Sequence, residues 1–296
     1  MKKMETKIQH CIPRTYLKNF AFRNNDEYFI NMLGKEQPYE MLSEKNIINI
    51  CAVNHLHSLK DNSESKQKLE DIYTDIFENN YDNLFSVLTD DDILEISDEQ
   101  KKSVVSAIVT IFYRTKKWND FIHPHAHENL KKIFQLSKHF NVDHYFDSKG
   151  VRVDIKNKTL EELQISHKNI TRIPLILTQL KVALNLIEAK QFDHINVYKI
   201  ADDSEFITSD NPVIPVNINN NITRHFDIGN AYYLPISTKY LIAIFPKEGN
   251  QSHNRIIRAM INKEWVDSFN SMQLFNCDNF IIGSEKGLKN TLESQD

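Results

Sequence analysis

Apolar residues recur at intervals of three and four through the middle of the chain, the spacing that places them on one face of a helix. The pattern is clearest in residues 63–88, which are expected to form one core-facing helix. A second helix is expected to begin at Ser97, because Ser97 and Gln100 match a capping box. Residues 104–113 within it are apolar on nearly every side, which is typical of a helix inside a bundle.

Two prolines and a threonine indicate where the next helices begin. Pro124 suits the first turn of a third helix, because the N–H that proline lacks has no partner at that position. Thr159 is expected to begin a short fourth helix, and Pro174 a long buried helix that ends near Lys190. The pattern therefore predicts that residues 63–190 are mainly helical.

The apolar period changes near Phe192, where short segments rich in β-branched and aromatic residues begin to alternate with turns. The expected strands are residues 192–200, 205–208, 213–216, 231–236 and 240–245. Their short connections favour antiparallel pairing. Further on, the spacing predicts a helix over residues 256–269, a strand over residues 280–282 and a polar helix at the end of the chain.

Near the start of the chain, short apolar groups on both sides of Gly34 predict a small hairpin. The whole pattern indicates the α+β class, with a helical layer packed on an antiparallel sheet. We expect one domain over residues 1–296, in which residues 1–62 are the N-terminal segment with its hairpin. Residues 63–190 are then the helical part, and residues 191–296 are the sheet with the C-terminal helices.

Charge and composition exclude several classes of protein. The 36 basic and 40 acidic side chains give a net charge of −4, so any contact with an anionic partner must be local. The spacing of the six glycines matches neither the dinucleotide-binding motif G-x-G-x-x-G nor the phosphate-loop motif G-x-x-x-x-G-K, so NAD-binding Rossmann enzymes and P-loop NTPases are not expected. The longest apolar run is about half of the roughly 20 residues that a membrane helix needs, so no membrane contact is expected. Three scattered cysteines and an N-terminus without an apolar stretch predict a cytoplasmic protein.

Residues 10–21 read H-C-I-P-R-T-Y-L-K-N-F-A, which resembles the opening signature H-x-[IV]-P-x-x-Y-L-x-x-F-A of a bacterial family catalogued as domain of unknown function 4238. Leu69-Glu70, residues 112–115, residues 206–213 and residues 233–237 are similar to later blocks of that family, in the same order. The resemblance covers most of the chain. It implies no settled reaction, although a link to bacterial defence loci is implied for some members.

Four residues are candidates for catalysis: His10, Glu70, Arg114 and Asp210. His10 could act as a general base, since histidine has a pKa of about 6.5. Arg114 ends an apolar helix, where its planar fork could bind a phosphate or carboxylate, or could form a structural ion pair with Glu70 or Glu78. Asp210 could orient His10 or bind a metal.

Three further residues are predicted to contact a substrate: Tyr16, Ser209 and Asn211. Each also has a structural interpretation. Tyr16 lies at helical spacing among core residues, and Ser209 and Asn211 belong to a Ser-Asp-Asn-Pro stretch that suits a turn between strands. The same alternative applies to His10, which could hold the entry of the chain by hydrogen bonds.

His123, His125 and His127 form the densest histidine cluster, but Pro124 separates their directions and no acidic ligand follows at a standard spacing. We therefore expect no cofactor, with a divalent metal at Asp210 as the alternative. Five lysines between positions 116 and 138 make this stretch the best sequence candidate for an anion-binding patch.

Two hypotheses about function follow. In the first, His10, Arg114, Asp210 and Glu70 converge on a phosphodiester or other anionic substrate, and the protein is a hydrolase or nuclease-like effector. In the second, these residues only stabilise the fold of a non-enzymatic module that binds protein or nucleic acid. The expected partners are nucleic acid or an anionic small molecule, and the sequence indicates no particular protein partner.

Overall fold

A computed structural model describes residues 8–10, 12–50, 52–54, 80–115, 117, 123–147, 150–217, 227–247 and 252–294. The chain divides into two compact units, one of residues 1–116 with 181–296 and one of residues 117–180. Helices and antiparallel sheets are both present, which confirms the α+β class. The packing of a 63–190 helical layer on the sheet, and the single domain, stay predictions.

The strands are β1 Ile8–His10, β2 Phe22–Asn24, β3 Glu27–Gly34, β4 Ser43–Asn46, β5 Ala52–Asn54, β6 His144–Phe146, β7 Arg152–Asp154, β8 His194–Ile200, β9 Thr208–Ser209, β10 Ile214–Asn217, β11 Asn230–Pro235, β12 Tyr240–Phe245, β13 Ile256–Ile261 and β14 Phe280–Gly283. The α-helices are α1 Arg14–Leu17, α2 Tyr81–Thr89, α3 Asp98–Arg114, α4 His123–His139, α5 Leu160–Lys190, α6 Lys263–Asn276 and α7 Glu285–Glu293. None of the described helices combines the length and the apolar composition that a membrane-spanning helix needs.

The larger sheet of the first unit has the strand order β10-β11-β12-β8-β13. The first three pairings are antiparallel, as the short turns predict. The β8–β13 pairing is parallel, with Ile195 opposite Ile256. One face of this sheet forms an apolar core with α6, to which Phe206, Leu241 and Phe269 contribute.

The second sheet of the first unit has the order β2-β3-β14-β9, and β4 also pairs with β3. Asn25 and Asp26 both have positive φ angles, 47° and 65°, and they turn the chain between β2 and β3. The strand before Gly34 is as predicted. The second strand of the hairpin is β4, which begins at Ser43 because residues Tyr39–Met41 form a 3₁₀ turn.

Helix α3 agrees closely with its sequence pattern. Ser97 and Gln100 form the expected capping box, in which Gln100 N donates to Ser97 Oγ at 3.1 Å and Ser97 N donates to Gln100 Oε1 at 2.9 Å. Residues 104–114 of this helix are all buried. The predicted helix over residues 63–88 lies outside the described residues up to position 79, and its remainder is α2.

The predicted helix over residues 256–269 is wrong in its first half. Residues Ile256–Ile261 are β13, and α6 begins at Lys263. Asn262 separates the two elements, because its side chain accepts a hydrogen bond from Trp265 N and so caps α6. The apolar residues at 256, 257, 260 and 261 fit a helix and a strand equally well, and the β-branched isoleucines favour the strand.

The second unit contains α4, the β6–β7 hairpin and the first part of α5. Helix α4 begins at His123, as the Pro124 signal predicts. The two helices predicted to begin at Thr159 and Pro174 are instead the single helix α5. Pro174 lacks a backbone N–H, but the loss of this one hydrogen bond does not end the helix. Thr159 caps α5, since Glu162 N donates to Thr159 Oγ1 at 3.1 Å.

Candidate functional site

Tyr16, a predicted substrate contact, is fully buried and serves as a tether between segments. Its hydroxyl donates to the carbonyl of Pro235 at 2.7 Å and shares a 2.6 Å hydrogen bond with Thr208 Oγ1. Because the phenol has one proton, Thr208 is the donor in the second bond. Burial and the neighbouring Tyr81 raise the pKa of Tyr16 well above its usual value, so it stays neutral.

Three of the sequence blocks singled out above meet at this hydroxyl. Tyr16 belongs to residues 10–21, Thr208 to residues 206–213, and Pro235 to residues 233–237. The residues joined here lie up to 219 positions apart in the chain. A buried contact of this kind fixes the relative position of α1 and two strands, so these blocks have a direct structural role.

A row of carboxamides on α6 holds residues 205–213 in place. Asn270, Gln273 and Asn276 follow one another at intervals of three, which puts them on one side of the helix. Asn270 Oδ1 accepts from Ile207 N at 3.0 Å, and its Nδ2 donates to Glu205 O at 2.8 Å and Thr291 Oγ1 at 3.1 Å. We name these three residues the α6 amide row.

The other two members of the α6 amide row bind two predicted site residues. Ser209 Oγ donates to Gln273 Oε1 at 2.9 Å. Asn276 Nδ2 donates to the carbonyl of Asn211 at 2.7 Å, and Asn211 Nδ2 donates to the carbonyl of Asn276 at 3.2 Å. Ser209 and Asn211 are buried and used within the protein, so this geometry favours their structural interpretation.

Asp210, a predicted catalytic residue, receives three hydrogen bonds from the loop after α6. Asp278 N donates to one carboxylate oxygen at 2.9 Å, and Asn279 N and Nδ2 donate to the other at 2.8 and 2.7 Å. The side chain is buried. Charge-assisted bonds of this type are strong, and they account for the position of Asp210 without a substrate or a metal.

Of the remaining predicted catalytic residues, only Arg114 has a side chain in the part of the chain that the structure describes. His10 lies on β1 opposite Ala52 of β5, and its side chain is outside the described residues. Glu70 and Glu78, the two expected partners of Arg114, also lie outside the described residues. Arg114 is completely buried at the end of α3, as its apolar helix predicts. The catalytic roles of His10, Glu70, Arg114 and Asp210 stay predictions.

The histidine cluster gives no metal site within the described residues. The side chains of His123 and His125 lie outside them. His127 neighbours His167 in the second unit, and the pKa of His167 is lowered by burial and by the charge of His127. Among the described side chains, no group of three or more histidines, cysteines or carboxylates is arranged to hold a metal.

A cleft of about 630 Å³ opens where the N-terminal segment meets α7. We call it the α7 cleft and define it by Phe22, Asn31, Glu205, Ser284, Lys286 and Lys289. None of these residues was a predicted site residue. They come from four separate stretches of the chain, and the sequence indicated only that the last of them forms a polar helix.

Ser284 and Glu205 form one wall of the α7 cleft. Ser284 caps α7, because its Oγ accepts a hydrogen bond from Gly287 N at 2.9 Å. The same hydroxyl donates to a carboxylate oxygen of Glu205. This contact engages the negative charge of Glu205 and sets its carboxylate at the beginning of the helix.

Asn31 lies on the floor of the α7 cleft. It belongs to β3, opposite Gly283 of β14, and only 9% of its surface is exposed. Its backbone takes part in the sheet, while its carboxamide makes no hydrogen bond to another described residue. The carboxamide atoms keep access to the solvent of the cleft, where water or a ligand can bind them.

The rim of the α7 cleft carries two exposed lysines one turn apart, Lys286 and Lys289. Lys286 makes no ion pair with a described residue, and Lys289 Nζ lies 3.9 Å from Glu293. The nearby Glu285 accepts a 3.3 Å hydrogen bond from the Tyr39 hydroxyl. The carboxylates of Glu205 and Glu285 thus accept hydrogen bonds within the protein, whereas the two lysines are exposed to solvent.

The fold and these contacts define an α+β protein in which a buried polar network supports an open, partly cationic cleft. The model of the family described as "Protein of unknown function (DUF4238)" matches residues 8–287, and the chain belongs to that family. This confirms the resemblance seen in the sequence. The same comparisons found no curated protein and no solved structure that matches the chain.

Proposed function

We propose that the protein is a recognition module that binds a phosphate-bearing small molecule in the α7 cleft. The observation that carries the proposal is the Asn31 carboxamide, which makes no hydrogen bond to a described residue and lines a cleft with lysines at its rim. A cleft of about 630 Å³ is within the range of small-molecule sites, which is roughly 300–1,000 Å³.

The charges at the cleft support an anionic ligand. The N-terminus of α7 carries a partial positive charge, and Lys286 and Lys289 follow in its first two turns. Hydrogen bonds from Ser284 and Tyr39 engage Glu205 and Glu285. A phosphate group would therefore meet lysines that have no strong protein partner, while the polar part of the ligand could bind Asn31.

Hydrolysis of such a ligand is the second candidate function, and one contact favours it. Glu205 places a carboxylate, oriented by Ser284, on the wall of the α7 cleft. A carboxylate in that position can orient a water molecule beside a bound phosphoester. In this second candidate function, Glu205 takes the catalytic role that the sequence suggested for His10 and Asp210. The cytoplasmic location and the defence context remain part of the proposal and rest on the sequence.

Isothermal titration with pyrophosphate and with nucleoside mono- and triphosphates tests binding. We expect saturable binding that weakens at least tenfold in the double variant Lys286→Gln and Lys289→Gln and in Asn31→Ala. Lys131→Gln, which changes an exposed lysine of α4 in the other unit, is the matched control and should bind normally. Equal binding by all variants, or none by the unaltered protein, would refute the proposal.

The same samples separate binding from hydrolysis. Release of phosphate or of a nucleoside product, abolished in Glu205→Gln with binding retained, would establish the second candidate. Binding without product, over hours and with or without added Mg²⁺, supports the recognition module. Short labelled RNA and DNA strands added as competitors show whether a nucleic-acid end occupies the same cleft.

A further inference from the structure

A second cavity, of about 420 Å³, lies beside α6 at a distance in sequence from the residues of the α7 cleft. Its lining includes three aromatic rings, Tyr233, Trp265 and Phe269, together with Met272 and Glu264. Trp265, Phe269 and Met272 follow at helical spacing, so they share one side of α6. We call this cavity the aromatic pocket.

The rings of the aromatic pocket are held in place by their neighbours. Phe269 is buried and packs edge-on against Phe206, with ring centroids 5.6 Å apart at 87°. Tyr233 lies against Phe269 with centroids 6.3 Å apart at 47°. Trp265 is 42% exposed and stacks on Tyr198 with centroids 5.4 Å apart at 24°. The pocket therefore has a fixed floor and one accessible indole wall.

The part of the aromatic pocket that the structure describes carries charge of one sign, which is negative. Among the described lining residues, Glu264 is the one charged side chain, and none is a lysine or an arginine. Glu264 is exposed and makes no ion pair with a described residue. The faces of aromatic rings are also electronegative because of their quadrupole. Both features attract a cation and repel an anion.

We propose that the aromatic pocket binds a small organic cation with a quaternary ammonium group. Such a cation is weakly hydrated, so ring faces can replace its water, and Glu264 supplies a counter-charge. The volume suits a free small molecule. The proposal does not depend on the α7 cleft, because the two cavities have no described lining residue in common.

Choline and 3,3-dimethylbutan-1-ol test the charge requirement, because they have nearly the same shape and differ in the nitrogen that carries the charge. We expect choline to bind saturably in isothermal titration, and the neutral alcohol to bind at least tenfold more weakly. Equal binding of the two compounds would show that the pocket is only apolar and would overturn the proposal. Absence of choline binding would also overturn it.

Variants then locate the site. Trp265→Leu should reduce choline affinity at least tenfold and Glu264→Gln about threefold. The matched controls are Phe275→Leu, which removes an 87% exposed ring from the same helix outside the pocket, and Glu99→Gln on α3. The thermal unfolding temperature should be nearly unchanged for Glu264→Gln and the two controls, whose side chains are exposed, and slightly lower for Trp265→Leu, which loses its stack on Tyr198.

Two further outcomes are decisive. If Trp265→Leu binds choline normally, the cation lies elsewhere and the assignment fails. If a trimethyl-lysine peptide binds at least tenfold more tightly than choline, with the same dependence on Trp265, a protein segment is the occupant and the small-molecule assignment is wrong.

Discussion

The segment held by the α6 amide row and the α7 cleft are both rich in polar side chains, yet the cleft leaves the side chains of Asn31 and Lys286 without a hydrogen bond or ion pair to a described residue. Asn270 is 2% exposed and makes three hydrogen bonds, to Ile207, Glu205 and Thr291. Asn31 is nearly as buried, at 9%, and its carboxamide has no bond to a described residue. Internal satisfaction indicates a role in folding, whereas a solvent-accessible carboxamide without such bonds is open to water or a ligand.

The comparison changes the meaning of the sequence blocks. For Ser209, Asp210 and Asn211 the sequence allowed a substrate or catalytic role or a structural turn, and their hydrogen bonds to α6 and the loop after it favour the turn. The α7 cleft, which had no sequence signature, has the exposed lysines and the open volume. Polar residues in a strongly patterned block are therefore weak evidence for catalysis until their partners are known.

The largest expected effect is that of Asp210→Ala. The backbone amides of Asp278 and Asn279 would lose a charged acceptor inside the protein, so we expect the free energy of unfolding to fall by about 3 kcal/mol. Urea unfolding measures the change. Asp203→Ala, at an exposed aspartate, is the control and should change it by less than about 0.5 kcal/mol. A similar small change in Asp210→Ala would contradict the structural role.

Tyr16→Phe should have an intermediate effect. The variant keeps the ring and removes only the hydroxyl, which leaves the Pro235 carbonyl and the Thr208 hydroxyl without this partner. We expect a loss of about 1–2 kcal/mol in the free energy of unfolding. Tyr28→Phe, at a less buried tyrosine of β3, is the matched control. If Tyr16→Phe and Tyr28→Phe have the same free energy of unfolding, the hydrogen bonds of the Tyr16 hydroxyl do not stabilise the fold.

The same tyrosine should affect the alkaline limit of stability. Burial raises the pKa values of Tyr16, Tyr81, Tyr113 and Tyr232 above the usual value near 10. Above about pH 10 the unfolded chain loses these protons while the folded chain keeps them, so stability is complete below that pH and falls as pH rises. Unfolding experiments between about pH 9 and pH 11 should show a shallower decline for Tyr16→Phe. An identical slope would contradict the raised pKa of Tyr16.

Local sequence signals predicted a secondary-structure element well where its conformation depended on its own residues alone. The Ser97–Gln100 capping box and the apolar residues of α3 needed no tertiary information. The β13 strand was mistaken for a helix, because its pairing with β8 across more than 50 residues outweighed its local spacing. Pro174 was mistaken for a helix start, because a long helix tolerates one missing hydrogen bond.

The sites were less predictable than the fold. The burial of Arg114 followed from its apolar helix, and a place for Tyr16 in the core was among the alternatives considered, whereas its tether role was not foreseen. The α7 cleft could not be foreseen, since its residues lie between positions 19 and 290 and only the folded chain brings them together. Residue type alone also cannot tell Asn31 from Asn270, because the difference lies in their partners.

The most direct test of the central claim compares these two asparagines. Urea unfolding of Asn31→Ala and Asn270→Ala replaces the same side chain at two buried positions. We expect Asn270→Ala to lose about 2–3 kcal/mol, because Ile207 N and Glu205 O lose their partner, and Asn31→Ala to change by less than about 0.5 kcal/mol. Equal losses in the two variants would contradict the claim that Asn31 is left for a ligand.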